Sequence, residues 1–386
     1  MYPNLYYLFQ DLFGLEIPFL QLFQSFGFMV AISFVLANIT MVMELKRHEK
    51  SGLLQSKKVR ISPETQKKQR EGDFYSAIVV GFLLGFKIIG VFSFPDAFSD
   101  VQSYFLSAQG NIITGVLAAA ALGGYRYWKN KQLPAIDGDK VEEVHPYQHM
   151  GNITIMAALF GLLGAKLFHN LENWNDFIAD PIGQLISFSG LTFYGGLIFG
   201  AVTVLYLGRK HSIPYKMMLD AGGPALMLAY GVGRIGCHIS GDGDWGINNL
   251  ADKPGWLSWA PDWMWSYNYP HNVINQGVLM ENCQGNYCYQ LGVPVYPTPF
   301  YEAIICVTLF FVLWSLRKRI KIPGILFSIY LMLNGAERFL IEKIRVNNKM
   351  DFLGMELTQA EIISFSLILL GLVSLLYFYK DKPKEA

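Results

Sequence analysis

Residues 217–239 read MMLDAGGPALMLAYGVGRIGCHI, 23 positions holding one acid, Asp220, and one Lys or Arg, Arg234. An α-helix rises about 1.5 Å per residue, so such a run crosses a hydrocarbon core of roughly 30 Å. The stretch predicts a membrane-spanning helix with Arg234 about one and a half turns before its end. Eight more apolar windows of similar length occur at 19–43, 74–94, 104–125, 150–168, 185–207, 300–316, 322–341 and 362–379. Gln109-Gly110-Asn111 interrupts the window at 104–125. Only 16% of the 386 residues are charged, against roughly a quarter in soluble domains. The 28 Phe, 21 Tyr and 8 Trp suit a chain that needs aromatic anchors at two interfaces. The predicted fold is all-α, a polytopic transmembrane helical bundle of about nine spans forming one integral membrane domain over 1–386.

Orientation follows from the loops, because Lys and Arg are retained on the cytoplasmic side. Basic loops hold Lys46 to Arg70, Arg126 with Lys129 and Lys131, Arg209 with Lys210, Arg317 to Lys321, and the tail Lys380, Lys382 and Lys384. The alternate segments 1–18, 95–103 and 169–184 carry no Lys or Arg, and 240–299 carries only Lys253. The pattern places the N-terminus outside and the C-terminus inside, with Lys343, Arg345 and Lys349 as outward exceptions. Residues 44–73 read as a solvated basic cytoplasmic linker. Lys plus Arg (31) nearly cancel Asp plus Glu (30), which argues against a nucleic-acid partner. Met1 to Leu5 lacks the basic region of a cleavable signal peptide, so the first apolar stretch reads as a span.

A charge at the bilayer centre costs about 2.5–3.5 kcal/mol on insertion scales, so an intramembrane ion is a candidate for function. Arg234 and Arg338 both fall near outward-facing span ends, where snorkelling to the headgroups is the simpler account of either alone. Glu302, Lys166, His169, Tyr194 and Glu342 fall at the same depth once the in-out alternation is applied. Arg338 and Glu342, four apart, share a helix face. The convergence predicts a polar chamber in the outer leaflet, open to a lipid headgroup or a membrane-anchored peptide. Gly195-Gly196 and Gly231 to Gly236 are small-residue patches that let helices or substrates approach the backbone.

After Arg234 the chain runs through Cys237, His238, Ser240, Asp242, Asp244 and Trp245 into the aromatic-rich outer segment 240–299. Asp242 with Asp244 could tune a proton beside an Arg and a His, or bind calcium, although the other ligands of an EF-hand are missing. Cys283 and Cys288 lie in this outward loop, an oxidising setting that permits a small disulfide loop. The four cysteines show no zinc spacing with histidines, and neither metal nor cofactor is expected.

These stretches resemble the prolipoprotein diacylglyceryl transferase family. Gly233-Arg234-Ile235-Gly236 through Ser240-Gly241-Asp242 to Trp245-Gly246 is similar to its signature Gly-Arg-x-Gly-Asn-Phe-x-Asn-x-Glu-x-x-Gly. Tyr296-Pro297-Thr298-Pro299-Phe300-Tyr301-Glu302 resembles its His-Pro-Thr/Ser-Gln-Leu-Tyr-Glu stretch. Arg338 to Glu342 with Arg345 resembles its Arg-x-x-x-Glu-x-x-Arg helix, Phe193 to Leu197 its His-Gly-Gly-Leu motif, and Gly164-Ala165-Lys166 its Gly-Ala-Arg. Departures are Tyr194 in place of the family His, Phe26 of Tyr, Cys237 and Ser240 of Asn, and Asp242 of Glu, with one residue inserted before Trp245. The family core has seven spans, so 74–125 reads as an inserted transmembrane hairpin.

The resemblance implies a transferase of the bacterial cytoplasmic (inner) membrane that moves diacylglyceryl from phosphatidylglycerol to the lipobox cysteine of a prolipoprotein signal peptide. On this basis Arg234 and Arg338 hold the lipid phosphate, with Gly195, Gly196, Lys166, Glu302 and Glu342 around it and membrane lipids as surroundings. Tyr194, His238 and Asp242 are the candidates for handling the thiol proton. A catalytically silent phospholipid-binding relative and a membrane transporter are the rival readings.

Overall fold

Caps and glycines, rather than the edges of apolar windows, set where the helices begin and end. The computed structural model describes all residues except 99–100, 188–189, 284, 348, 353 and 381–386, so Lys382 and Lys384 of the basic tail lie outside the described residues. In chain order the helices are α1 (Leu5–Phe13), α2 (Ser25–Lys50), α3 (Pro63–Leu83), α4 (Val101–Leu106), α5 (Ile112–Gln132), α6 (Met150–Glu172) and α7 (Trp174–Ala179). They continue as α8 (Pro181–Ile186), α9 (Phe193–Lys210), α10 (Tyr215–Ser240), α11 (Thr298–Leu316), α12 (Ile325–Glu342) and α13 (Gln359–Tyr379).

The fold is mostly helical rather than all-α. Among the described residues three antiparallel ribbons pair β1 (Lys57–Ile61) with β2 (Lys140–Val144), β3 (Val278–Leu279) with β4 (Tyr289–Gln290), and β5 (Lys349–Phe352) with β6 (Met355–Thr358). All six strands lie outside the apolar windows, where water can satisfy the open edges that a bilayer would not tolerate.

Among the described residues nine helices reach 18 residues or more. Five helical stretches are both long and apolar enough to cross a membrane: Ser25–Lys50, Pro63–Ser93, Pro146–Glu172, Thr298–Leu316 and Gln359–Tyr379. At most 33% of each apolar window is buried within the protein. Large side chains such as Phe365, Leu369, Leu370, Val373 and Leu376 of α13 point outward, as a lipid-facing surface requires.

Three expected boundaries move. The window 104–125 is broken at Asn111, whose side chain accepts from the amides of Ile113 and Thr114 and so starts α5 there. Within the window 185–207 the short α8 ends at Ile186 and the long helix α9 starts only at Phe193, after Gly190 at a φ of 70°, so Tyr194 falls in the first turn of α9. Residues 44–73 are the end of α2, the strand β1, and the start of α3, which opens where Ser62 accepts from Thr65 ahead of Pro63.

Packing divides the chain into two units. One comprises Gln55–His145 and Lys166–Thr192. In it α3 and α5 pack together, and the Lys87 ammonium gathers the carbonyls of Tyr104, Ser107 and Gln109 at 2.7–2.8 Å.

The other unit comprises Met1–Leu54, Pro146–Ala165 and Phe193–Ala386 and is built around α10, which packs on α2, α9, α11 and α12. Two glycines allow the close approach on different sides of α10. A Cβ at Gly231 would meet Cys306 and the Ala303 carbonyl of α11 at 3.0 and 3.2 Å, and one at Gly236 would meet Met29 of α2 at 2.9 Å. At its other end α10 grips α12 through Asp220, a buried carboxylate that accepts from the amides of Gly324 at 2.7 Å and Phe327 at 2.9 Å. Those amides open α12 and have no partner within their own helix.

Asp220→Ala should therefore lower stability by about 1–2 kcal/mol, the scale of a lost helix cap. Thermal unfolding in detergent micelles measures it, and an unchanged midpoint would show that the cap does not hold α12.

Candidate functional site

Glu302, in the second turn of α11, is completely buried and gathers three arginines. Arg234 of α10 places its Nε on Oε2, while Arg338 of α12 and Arg345 just beyond α12 approach Oε1 at 3.2 and 3.1 Å. Tyr230, one turn before Arg234, donates its hydroxyl to Oε2 at 3.4 Å and lies under the Arg234 guanidinium. Each arginine then holds a second carboxylate. Arg338 meets Glu342 at 3.1 Å, Arg345 meets Asp244 at 2.8 Å, and Arg234 meets the other oxygen of Asp244. Three guanidinium groups and three carboxylates thus form a closed, charge-balanced network. Isolated, none of these ions would tolerate such burial; paired in this way each has its charge answered.

Asp244 reaches the network because the loop after α10 is stitched in place. Gly241, at a φ of 64°, ends the helix. Gly246 then pairs with Arg345 as an isolated β-bridge, its amide donates to the Tyr296 carbonyl at 2.9 Å, and the Ile247 amide donates to Ile344 at 2.9 Å. A Cβ on Gly246 would strike the Ile344 carbonyl at 2.5 Å, so no larger residue fits this crossing. Thr298 ties the Asp244 carbonyl to the start of α11 at 2.8 Å.

Burial pushes the Asp244 carboxyl up, but Arg234 and Arg345 outweigh it and hold the group below the ordinary carboxylate range. Asp242 moves the other way, raised by burial and by the neighbouring Asp244 charge. Cys237, Asp242 and Asp244 bring possible ligand atoms within 4.8 Å of one another. Both Asp244 oxygens are already taken by guanidinium groups, so this trio does not favour a cation.

The family model for prolipoprotein diacylglyceryl transferase matches residues 111–377, a stretch that includes every member of this network. The chain belongs to the prolipoprotein diacylglyceryl transferase family. Similar proteins are named phosphatidylglycerol–prolipoprotein diacylglyceryl transferase. One from Leptospira interrogans is 28% identical over 228 residues, 52% of this chain and 63% of that protein. Another from Dehalococcoides mccartyi is 28% identical over 273 residues, covering 70% of this chain and 88% of its own length. A third from Xanthomonas oryzae pv. oryzae is 28% identical over 274 residues, 68% of this chain and 83% of the relative. The match thus spans less than two thirds of the Leptospira protein.

Of the residues that the sequence points to, the structure of this family member brings Arg234, Arg338, Glu302 and Glu342 into direct contact. Asp242 stands beside them, accepting from the Asp244 amide at 3.3 Å and hydrogen-bonding Cys237. Tyr194 lies within electrostatic reach of Arg338 and Glu342. His238 does not join the group. Its Nδ1 pairs with the Tyr269 hydroxyl at 3.2 Å, and Trp263, Tyr267, Tyr269 and Phe300 surround its ring at 5.4–6.1 Å. Gly195 and Gly196 serve helix packing: Gly196 faces the Gly161 carbonyl, and the Gly195 carbonyl closes against Gly164 of α6. Lys166 belongs to the other unit, where it donates to Ser187 at 3.4 Å.

Two network members were not singled out as site residues by the sequence. Asp244 appeared only as half of a carboxylate pair, and Arg345 only as an exception to the charge rule and the last position of a motif. The signal that could have found both is the basic residue that breaks the loop-charge pattern, since a buried Arg needs a carboxylate beyond those already paired. Lys343, the neighbouring exception, pairs with Glu361 at the start of α13. Cys283 and Cys288 are disulfide-bonded, with Cα atoms 5.5 Å apart.

Removing Glu302 leaves three guanidinium groups short of a partner, so Glu302→Ala should cost about 3–5 kcal/mol, the scale of a broken buried pair, read from thermal unfolding. Asp244 gives a pH test with a definite sign. Its folded carboxyl is depressed, so it stabilises fully above the ordinary carboxylate range, and this contribution is lost as pH falls through the lower folded value. Asp244→Asn should flatten the acid limb of stability against pH; an unaltered limb would mean that the arginines do not hold its charge.

Proposed function

We propose that this protein transfers the diacylglyceryl group of phosphatidylglycerol to the lipobox cysteine thiol of a prolipoprotein signal peptide, releasing glycerol phosphate. The observation that carries the reading is the set of three arginines converging on Glu302, in a member of a family whose relatives are named phosphatidylglycerol–prolipoprotein diacylglyceryl transferase. Planar guanidinium groups match phosphate oxygens in two-point forks. They are charged at every accessible pH, and burial magnifies their effect on a leaving anion. No resident metal or cofactor is needed for the step that follows.

In that step the sulfur forms a bond to the glyceryl methylene carbon as the carbon–oxygen bond to phosphate breaks. The electron pair stays on the phosphate oxygen, and the thiol proton ends on the phosphate monoester after passing through a protein group. Thiolate is the reactive form of the cysteine, and the arginines favour it electrostatically. Asp242 is the favoured proton carrier, since it adjoins Arg234 and its raised affinity for a proton suits a base better than an ordinary carboxylate. In this reading Tyr194, within electrostatic reach of Arg338, donates a hydrogen bond to the leaving oxygen. His238, held in its aromatic cage, supports the outer loop instead.

The arrangement in the membrane proposed here has nine spans, with 74–125 carrying an inserted hairpin, the N-terminus and the 240–299 cap outside, the C-terminus inside, and the bacterial inner membrane as the location. The basic loops support this orientation, and it turns the arginine network toward the outer leaflet where signal peptides emerge.

Purified protein incubated with phosphatidylglycerol and a lipobox peptide should add the diacylglyceryl mass to the peptide cysteine. Folded protein that produces no increment overturns the reading. Arg234→Ala and Arg338→Ala should each lower kcat/KM at least about a hundredfold, the scale of a lost transition-state donor. Asp242→Asn should lower kcat more than His238→Ala does; the reverse order would move the base to His238.

A further inference from the structure

A buried acid beside the network takes no part in its ion pairs. Glu337, immediately before Arg338 on α12, is 4% exposed, and neither of its carboxyl oxygens has a hydrogen-bond partner among the described residues. Charged and titratable groups face it from the elements packed around it: Tyr230 and Arg234 from α10, Glu302 and Cys306 from α11, Arg338 on its own helix, and Arg345 just beyond. α13 also packs on α12, but its acid Glu361 is committed to its own capping box and to Lys343. The three arginines each hold two other carboxylates.

An ionised carboxylate buried without a donor is costly enough that such groups take up a proton instead. The ion count leads to the same place. Arg234, Arg338 and Arg345 are already balanced by Glu302, Glu342 and Asp244, so an ionised Glu337 would make the cluster net negative. A net negative cluster repels a phosphodiester.

We propose that Glu337 is an uncharged carboxylic acid in the binding-competent protein, and that its proton keeps the arginine network receptive to an anionic lipid headgroup. Glu337 is then a positioning residue that selects for the charge of the ligand through Arg338 and Glu302 without touching it. This rests on the reading of the network as a phosphate site.

The test uses the full chain in lipid nanodiscs. Infrared difference spectra of the wild type should show a protonated-carboxyl C=O band that Glu337→Gln removes; a wild type without that band overturns the proposal. The KM for phosphatidylglycerol should rise on the alkaline side, approaching about tenfold per pH unit once a single proton is lost, with kcat much less affected. Glu337→Gln should abolish that rise and Glu337→Asp should restore it. Identical KM profiles in wild type and Glu337→Gln overturn the proposal. Glu337→Met, equally uncharged, serves if the Gln variant does not fold. Equilibrium binding of phosphatidylglycerol against phosphatidylcholine over the same pH range requires no turnover. A pH-dependent preference for the anionic lipid without transfer would sink the transferase reading and leave the role of Glu337 standing.

Discussion

The constraint on which this fold depends is the complete burial of the Glu302 carboxylate. A carboxylate taken out of water without partners is untenable in a protein interior, and Glu302 meets that cost with three guanidinium groups from two other segments. Helix packing has to serve this requirement. Gly231 brings α10 against α11 near Ala303 and Cys306, beside Glu302, and Asp220 fixes the far end of α12 through its first amides. With both ends of α12 held, Arg338 has little freedom to leave the carboxylate. The pairs therefore behave as one unit, and their energies are not separable additive contributions.

A second buried acid applies the same device elsewhere in this unit. Glu44, 1% exposed near the end of α2, takes Arg47 from its own helix and Arg317 from the residue after α11, at 3.0 and 3.1 Å. α11 is thus ionically tied near both ends, through Glu302 to α10 and α12 and through Arg317 to α2. Its middle, carrying Cys306, Phe310 and Leu313, packs apolar side chains between these ties. Low dielectric makes an ion pair strong and an unpaired ion prohibitive, so a few buried pairs specify neighbours that apolar packing alone would leave interchangeable.

Much of the candidate site's ion network was legible because the membrane makes charge conspicuous. Arg234, Arg338, Glu302 and Glu342 could be read from depth, since an ion inside an apolar window has few explanations. Asp244 could not, because its place depends on a β-bridge between Gly246 and Arg345 that joins segments about a hundred residues apart, and no local periodicity records such a contact. The surroundings of His238 were not legible for a related reason. Its sequence neighbours are charged, but its ring packs among aromatic side chains supplied by the loop after α10 and the start of α11. The glycines Gly195 and Gly196 fit substrate approach and helix approach equally well in sequence, and only a neighbouring backbone distinguishes the two. Helix boundaries shifted where polar caps such as Asn111 overrode hydrophobic windows, because a cap acts through one side chain while a window averages over many.

A charge-balanced network changes what anion binding has to mean. An empty cationic pocket would bind a phosphate by simple attraction, but here every guanidinium is already engaged, so under the proposed reaction a headgroup competes with a carboxylate. Glu302 and Glu342 are sealed, with no side-chain exposure, whereas the Asp244 side chain is 37% exposed and sits on a loop rather than a helix. Asp244 is then the most accessible of the three carboxylates, and it bridges Arg234 and Arg345. Under the proposed reaction it keeps those two groups preorganised at the spacing of a two-oxygen ligand while the site is empty. The substrate phosphate then inherits a geometry already set by protein, so less of its binding free energy is lost to ordering side chains, and more remains for stabilising the charge that develops as the carbon–oxygen bond breaks.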